Sequence, residues 1–328
     1  MPIQLLVFSN SFLKLLNQKP SPNFVISTHK SCDGDGLGAG LALYYALKNK
    51  GQKTSFYTLE PIHSKYNFMD KGHTVQVFNK DKTIIPQNSV FIFTDTNDTR
   101  LMEPLYSYSK QQKGKVYFID HHPMIQDNST DQFFIDTTCS STAELIYSLL
   151  KTLKIELDED ICTNLFSSIV FDTNRFRDIK NSSKPFSIAS ELVSKIKDVN
   201  LIYENLFKNL TVDKLRFMSQ LGKVEYYANN RIAFLHIKES VFKKFNTDNT
   251  QAYDLMELVR DIKTIESTAL LIENKNGEFK LSLRSRNKNL LPLVKSFDGG
   301  GHAHSAGAYI QSKKLKDIKD IVISYLEK

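Results

Sequence analysis

Short runs of β-branched and aromatic residues recur through the first half of the chain, and the stretches between them carry the spacing of amphipathic helices. The runs are Phe24–Thr28, Thr54–Thr58, Thr74–Phe78, Val90–Thr94, Lys115–Ile119 and Phe133–Ile135. Between the first two, Leu37–Lys50 reads as a helix, with Leu37, Leu41, Tyr44, Tyr45 and Leu47 at helical spacing and Gly51 as its stop. Such an alternation folds most simply with the strands parallel in one sheet and the helices crossing its faces, so an α/β fold is expected. From about Thr142 to Tyr227 the pattern turns helical, with Ser140-Ser141-Thr142 ahead of Glu144 as an N-terminal cap. Strand patterns return at Arg231–Ile237, Ser267–Glu273 and Glu278–Arg284, and Asn276-Gly277 gives the last two a hairpin turn. A chain of 328 residues is longer than a usual single domain. We therefore expect two α/β domains with a cleft between them: a parallel-sheet domain with a helical flank over residues 1–225 and a smaller domain over 226–328.

Composition narrows the function classes. The formal charge is +7, but the excess is spread over many lysines with no basic block of the kind that makes a nucleic-acid arm. It suits modest attraction for phosphates. The three cysteines, Cys32, Cys139 and Cys162, form no CxxC pair and point to a reducing compartment. The apolar stretch Ile3–Phe8 is short, lacks preceding positive charges and runs into Ser9-Asn10-Ser11, unlike a signal peptide. No window approaches the ~18 apolar residues that span a bilayer, so a soluble, cytoplasmic protein without membrane contact is expected.

Four constellations could carry chemistry. His29, Asp33 and Asp35 follow the first apolar run directly, and in an open parallel sheet ligands bind beyond the carboxyl ends of the strands. The nearby Gly34, Gly36, Gly38 and Gly40 do not have the GxGxxG spacing, and two carboxylates would repel a pyrophosphate. An EF-hand fails as well, because Leu37 and Tyr44 stand where that loop needs ligands. The run Phe91-Ile92-Phe93-Thr94 ends in Asp95, and Val116-Tyr117-Phe118-Ile119 ends in Asp120-His121-His122. Acids converging on one sheet edge without compensation would repel each other, so their recurrence at three strand ends invites a cation. Asp172 closes an apolar helical stretch, with Arg175 and Arg177 behind it.

In this order and spacing the four elements resemble the DHH phosphoesterase superfamily, named for the triplet found here at Asp120-His121-His122. Downstream, Lys280-Leu281-Ser282-Leu283-Arg284-Ser285 followed by Gly299-Gly300-Gly301-His302 resembles the substrate-binding domain of one branch of it. That branch includes nanoRNases, phosphatases of 3′-phosphoadenosine 5′-phosphate, cyclic-dinucleotide phosphodiesterases and RecJ-type exonucleases. The compact length is most similar to the stand-alone nanoRNase/phosphatase type. Two departures stand out: Ser31-Cys32 where these enzymes often have proline before the first aspartate, and Gly36 where alanine is common.

The resemblance implies two divalent cations. His29, Asp33 and Asp95 would hold one and Asp35, Asp95, His121 and Asp172 the other, with Asp95 bridging. Mn²⁺ suits such mixed carboxylate and imidazole ligands best, with Mg²⁺, Co²⁺ or Fe²⁺ as alternatives. It also implies that Asp120 orients an imidazole, that His122 contacts phosphate or assists proton transfer, and that Arg284, Ser285, Gly300, Gly301 and His302 bind substrate. The expected activity is hydrolysis of short RNA, with phosphoadenosine phosphate as a further substrate, by a monomer or homodimer. A phosphodiesterase of cyclic di-AMP or its linear dinucleotide is the alternative within the class, and a catalytically silent nucleotide-binding protein the alternative outside it. Long nucleic acid is not expected, since no additional module is present to track a backbone.

Overall fold

The computed structural model describes residues 3–125, 130–180, 183–208, 210–274, 276–311 and 314–328. The chain divides into two compact units, Met1–Asn209 and Leu210–Lys328.

The first unit is built on six parallel strands, β1 (Asn23–Thr28), β2 (Lys53–Thr58), β3 (Val75–Val77), β4 (Val90–Thr94), β5 (Lys115–Asp120) and β6 (Gln132–Ile135), in the order β3-β2-β1-β4-β5-β6. Its helices are α1 (Ile3–Leu16), α2 (Gly34–Asn49), α3 (Leu105–Gln111), α4 (Thr142–Thr152), α5 (Glu159–Asp172), α6 (Lys184–Val193) and α7 (Val199–Phe207). Both faces of the sheet are covered. Phe24, Ile26, Ile92, Tyr117 and Ile119 join one core with α1, α2, α4 and α5, while Val25, Phe91, Phe93, Val116 and Phe118 join another with Phe78, Met102 and Leu105. Burial on two sides explains why these strands read as continuous apolar runs instead of alternating ones.

The strand order reverses between β1 and β4, so the connections leaving these two neighbours diverge and open a crevice at their carboxyl ends. Helix α2 starts in that crevice and packs very closely on α5. A Cβ at Gly34 would lie 2.5 Å from Phe171 Cγ, and one at Gly38 would lie 2.6 Å from the Asn164 carbonyl oxygen. These glycines therefore serve helix packing, not a phosphate loop. The apolar Ile3–Phe8 stretch is the first half of α1, whose Leu5, Phe8, Phe12 and Leu15 recur at helical spacing and enter the core.

The second unit carries a mixed sheet of β7 (Glu225–Tyr227), β8 (Ile232–Lys238), β9 (Ser267–Glu273), β10 (Phe279–Ser285), β11 (Gly300–His302) and β12 (Ser305–Ile310), ordered β11-β12-β10-β9-β8-β7. Only β8 and β9 run parallel. Five helices accompany it: α8 (Val212–Phe217), α9 (Glu239–Lys244), α10 (Asn249–Arg260), α11 (Leu291–Lys295) and α12 (Leu315–Glu327). Phe217 of α8 is fully buried against Phe242, in the core formed with Ala233, Leu235 and Leu270. Two residues of the triple glycine, Gly300 and Gly301, open edge strand β11. Among the described residues no helix is long and apolar enough to cross a membrane.

Candidate metal centre

The register of the sheet fixes where the acids meet. Thr28 pairs with Thr94 and Thr94 with Ile119, so His29, Asp95 and Asp120 leave three adjacent strands at the same level. Asp95 turns out of β4 with φ +62, in the left-handed region where aspartate is among the few residues tolerated. Its amide donates to the Ile119 carbonyl at 2.9 Å, which holds that turn against β5.

The two oxygens of Asp95 face different partners. Oδ2 lies 3.5 Å from His29 Nε2, and Oδ1 lies 3.6 Å from His121 Nε2. Asp33 stands on the His29 side, 3.8 Å from the same nitrogen, and also caps α2 by accepting from the amides of Asp35 and Gly36. Asp35 and Asp172 stand on the His121 side, 3.6 and 3.3 Å from its Nε2. Among the described residues three overlapping groups of donor atoms result, His29/Asp33/Asp95, Asp35/His121/Asp172 and Asp95/Asp120/His121/His122, each with its atoms within 4.8 Å of one another. Asp95 touches all three.

Burial makes this arrangement costly without a cation. Asp35 is fully buried, and burial together with the charges of Asp95 and Asp172 raises its carboxyl well above the usual range. Burial and the charges of Asp95 and Asp33 likewise push Asp172 up to about 7. His29 is pushed up to about 10: burial opposes its charge, but the hydrogen bonds to Asp33 and Asp95 outweigh it. His121 is shifted downward by burial and the neighbouring His122 charge. Its Nδ1 donates to the Cys139 carbonyl at 3.3 Å, so the lone pair sits on Nε2. That nitrogen is buried, has no hydrogen-bond partner and points at three carboxylate oxygens. A lone pair facing anions is repulsive, and a divalent cation between them reverses the sign of every contact. The residues present therefore fit a metal.

Supporting contacts come from residues that the strand-end pattern does not single out. Thr142, at the start of α4, donates its amide to Asp35 Oδ2 at 2.8 Å and its hydroxyl to Asp95 Oδ1 at 3.0 Å. Ser168 on α5 donates to the other Asp35 oxygen. Asp120 is fully buried, with Oδ1 2.9 Å from His122 Nδ1 and Oδ2 accepting from Asn97 Nδ2 at 2.7 Å. Although burial opposes it, the His122 contact holds the Asp120 carboxyl below its usual range; that contact in turn raises the pKa of His122. The imidazole that Asp120 orients is thus His122, while His121 is oriented by a backbone carbonyl. The Gly36 departure also has a local cause. A Cβ there would fall 2.1 Å from Thr28 Oγ1, whose hydroxyl bonds the Thr94 carbonyl at 3.0 Å.

In the second unit, β10 alternates faces. Ser282 and Arg284 line a cavity of about 310 Å³ with Tyr253, Gly300, Gly301 and Ser305. Lys280 and Tyr309 line an adjoining one of about 370 Å³ that shares Ser282 and Gly300. Ser285 faces the other way. It is buried, its hydroxyl lies 2.9 Å from Ser267 Oγ, and it accepts from the Lys288 amide at 3.0 Å. Ser285 therefore lies on the face of β10 opposite the cavity that Ser282 and Arg284 line, because side chains alternate along a strand with period two. Gly301 has φ +137, and a Cβ would approach the Ser305 carbonyl oxygen to 2.6 Å, so glycine is required. His302 is exposed and pairs with Ser305 on this edge.

Comparison with known proteins decides the family. Residues 23–169 match the model of the DHH family, N-terminal domain, and residues 230–328 match the DHHA1 domain. The chain is a DHH-family protein. Similar relatives include the Bacillus subtilis bifunctional oligoribonuclease and PAP phosphatase NrnA, 28% identical over 88% of this chain and 89% of that protein. The Streptococcus mutans protein named probable bifunctional oligoribonuclease and PAP phosphatase NrnA is 27% identical over 92% of this chain and 94% of its own. An exopolyphosphatase-related protein from Bacteroides fragilis has the same fold, with TM-score 0.84 and 22% identity over 98% of this chain and 96% of that one. As a member of the DHH phosphoesterase family the protein is a metal-dependent hydrolase. The first unit carries the acidic cluster, all of it but Asp172 within the DHH match, and the DHHA1 domain carries the Arg284 cavity.

Proposed function

We propose that this DHH protein hydrolyses short oligoribonucleotides and 3′-phosphoadenosine 5′-phosphate with two divalent cations, Mn²⁺ in preference, in a reducing cytoplasm. The observation that carries the two-cation reading is the split of Asp95 between His29 and His121. The substrate class rests on two relatives of matching length, both named for oligoribonuclease and PAP phosphatase activity. Three free cysteines accord with the compartment.

In this reading His29, Asp33 and Asp95 hold one cation and Asp35, Asp95, His121 and Asp172 the other. Cations so placed supply Lewis-acid polarisation of a phosphoryl oxygen and a water acidified toward neutrality. Thr142 and Ser168 keep Asp35 and Asp95 in position through hydrogen bonds that do not depend on the metal. His122 is half-exposed, and its Nδ1 is held by Asp120, which leaves Nε2 to donate, in the protonated ring, to a phosphate oxygen or to the leaving oxygen. Arg284 is suited to a second phosphate, since its guanidinium donates two parallel hydrogen bonds. The names of the relatives lend no support to the cyclic di-AMP alternative.

The test offers Mn²⁺-loaded protein 5′-labelled RNAs of about two to ten nucleotides, phosphoadenosine phosphate and cyclic di-AMP side by side. Dinucleotides and phosphoadenosine phosphate should be consumed fastest. Turnover of cyclic di-AMP alone, or equal activity in the Asp120→Ala/His121→Ala variant, would refute the reading.

A further inference from the structure

The cavity at the metal centre, about 500 Å³, has a wall that hydrolysis does not use. Beside the acids and histidines it is lined by Leu101, Pro123, Met124 and Ile125. Leu101 is 44% exposed, Met124 47% and Ile125 56%, so an apolar shelf stands open next to a cluster of charges. Contiguous exposed apolar surface inside a polar cavity marks a ligand contact.

The shelf is fixed at both ends. Asn97 donates to the Pro123 carbonyl at 3.1 Å and accepts from the Ile125 amide at 2.7 Å, while its Nδ2 also bonds Asp120. One side chain thus ties the loop 123–125 to the DHH triplet. On the other side the Leu101 carbonyl accepts from the Lys30 amide at 2.9 Å, tying Leu101 to the segment after β1.

The remaining polar side chains of this wall are already engaged. Thr96 Oγ1 accepts from the Asp98 amide at 3.1 Å, and Asp98 is paired through both oxygens with Arg100. The shelf itself therefore offers mainly apolar surface. A nucleobase has the complementary shape, since its faces are flat and poorly hydrated while its edges carry the hydrogen-bonding code. On such a shelf the faces are buried and the edges stay in water.

We propose that Leu101, Pro123, Met124 and Ile125 form a platform for the base of the nucleotide whose phosphate lies at the metals, and that it accepts bases by ring area without reading their edges. The inference rests on the phosphoester reading and adds to it an expected indifference to base identity.

The test is equilibrium binding of nucleoside monophosphates to the Mn²⁺-loaded full chain. AMP should bind about tenfold more tightly than ribose 5-phosphate, a difference of about 1.4 kcal/mol. GMP should match AMP within about twofold, CMP should match UMP, and the purines should bind a few-fold more tightly than the pyrimidines. In the Leu101→Ala/Ile125→Ser variant the ratio of AMP to ribose 5-phosphate affinity should fall toward one while ribose 5-phosphate affinity holds. A ratio near one in the unmodified protein, its persistence in the variant, or a fivefold split between AMP and GMP would overturn the platform. The nucleotide series on the unmodified protein decides the matter even where the variant misfolds. Failure of the hydrolytic reading shows differently, as intact dinucleotides with the AMP preference preserved.

Discussion

Asp95 in the first unit and Arg284 in the second both lie near the end of a strand, yet their surroundings differ in kind. Asp95 is nearly buried, sits in a left-handed turn, and is crowded by His29, His121 and Thr142. Arg284 is half-buried on a strand face, with its Nη1 donating to the neighbouring Leu283 carbonyl at 3.0 Å. An acid cluster taken out of water is stable only with a cation, so its geometry is set beforehand by hydrogen bonds from Thr142, Ser168 and Asn97. A solvated guanidinium carries no such penalty and can wait for its anion in water. On the proposed reading the first region is organised for reaction and the second for recognition. Substitutions should separate the two.

The largest effect is expected at Asp95. Asp95→Asn removes a charge from both proposed cation sites at once, and metal charge stabilisation is worth several kcal/mol, so kcat should fall by about a thousandfold or more. Rate measurement with metal analysis of the purified variant checks this. Near-normal turnover with two bound ions would break the assignment of Asp95 as the shared group.

Metal removal should expose the repulsion within the cluster. Asp172 is raised to about 7 by burial and by the charges of Asp95 and Asp33. A carboxyl raised in the folded state stabilises fully below its unfolded value and loses that contribution as pH climbs through its folded value. Metal-free protein should consequently melt at a lower temperature at pH 7.5 than at pH 5. His29 acts in the same direction, since its folded value of about 10 lies above the unfolded 6.5 and its contribution declines once pH rises past the latter. Mn²⁺ at about a hundred times its Kd adds about 2.7 kcal/mol, or about 5–10 °C for a unit of roughly 200 residues, with the greater gain at the higher pH. A metal-free melting temperature that rises between pH 5 and 7.5 would contradict the charge balance described.

The same contrast governs what the sequence makes legible. Strands β1, β4 and β5 were readable because burial on both faces writes them as unbroken apolar runs, and each ends in the residue that marks the site. Asp172 was readable by its place in the order of motifs. Asn97, Thr142 and Ser168 were not, since an amide or hydroxyl near a strand or helix end has the same appearance whether it caps a turn or holds a carboxylate. Thr142 was visible as part of a cap, but its bond to Asp35 spans 107 positions and exists only once the sheet is assembled. Helix α1 is hard to read because a short apolar stretch near a chain's start has the same appearance in a leader as in an amphipathic helix. In the second unit the triple glycine hid an edge strand, because glycine is depleted in strands and only pairing with β12 makes β11 regular.

The finest distinction lies within β10. Arg284→Ala should raise KM for a dinucleotide by about tenfold or more, as a hydrogen bond to a charged group is worth about 1.5–3 kcal/mol. With kcat little changed, the loss would be of binding shared by the ground and transition states. Ser282→Ala, on the same face, should raise KM by a few-fold. Ser285→Ala, one position beyond Arg284, should leave KM unchanged and lower stability by about 1 kcal/mol through loss of its bonds to Ser267 and Lys288. Denaturant melts and steady-state kinetics on the three variants read both quantities. A KM effect at Ser285 without one at Ser282 would break this assignment of faces, since successive side chains of a strand point to opposite sides of the sheet.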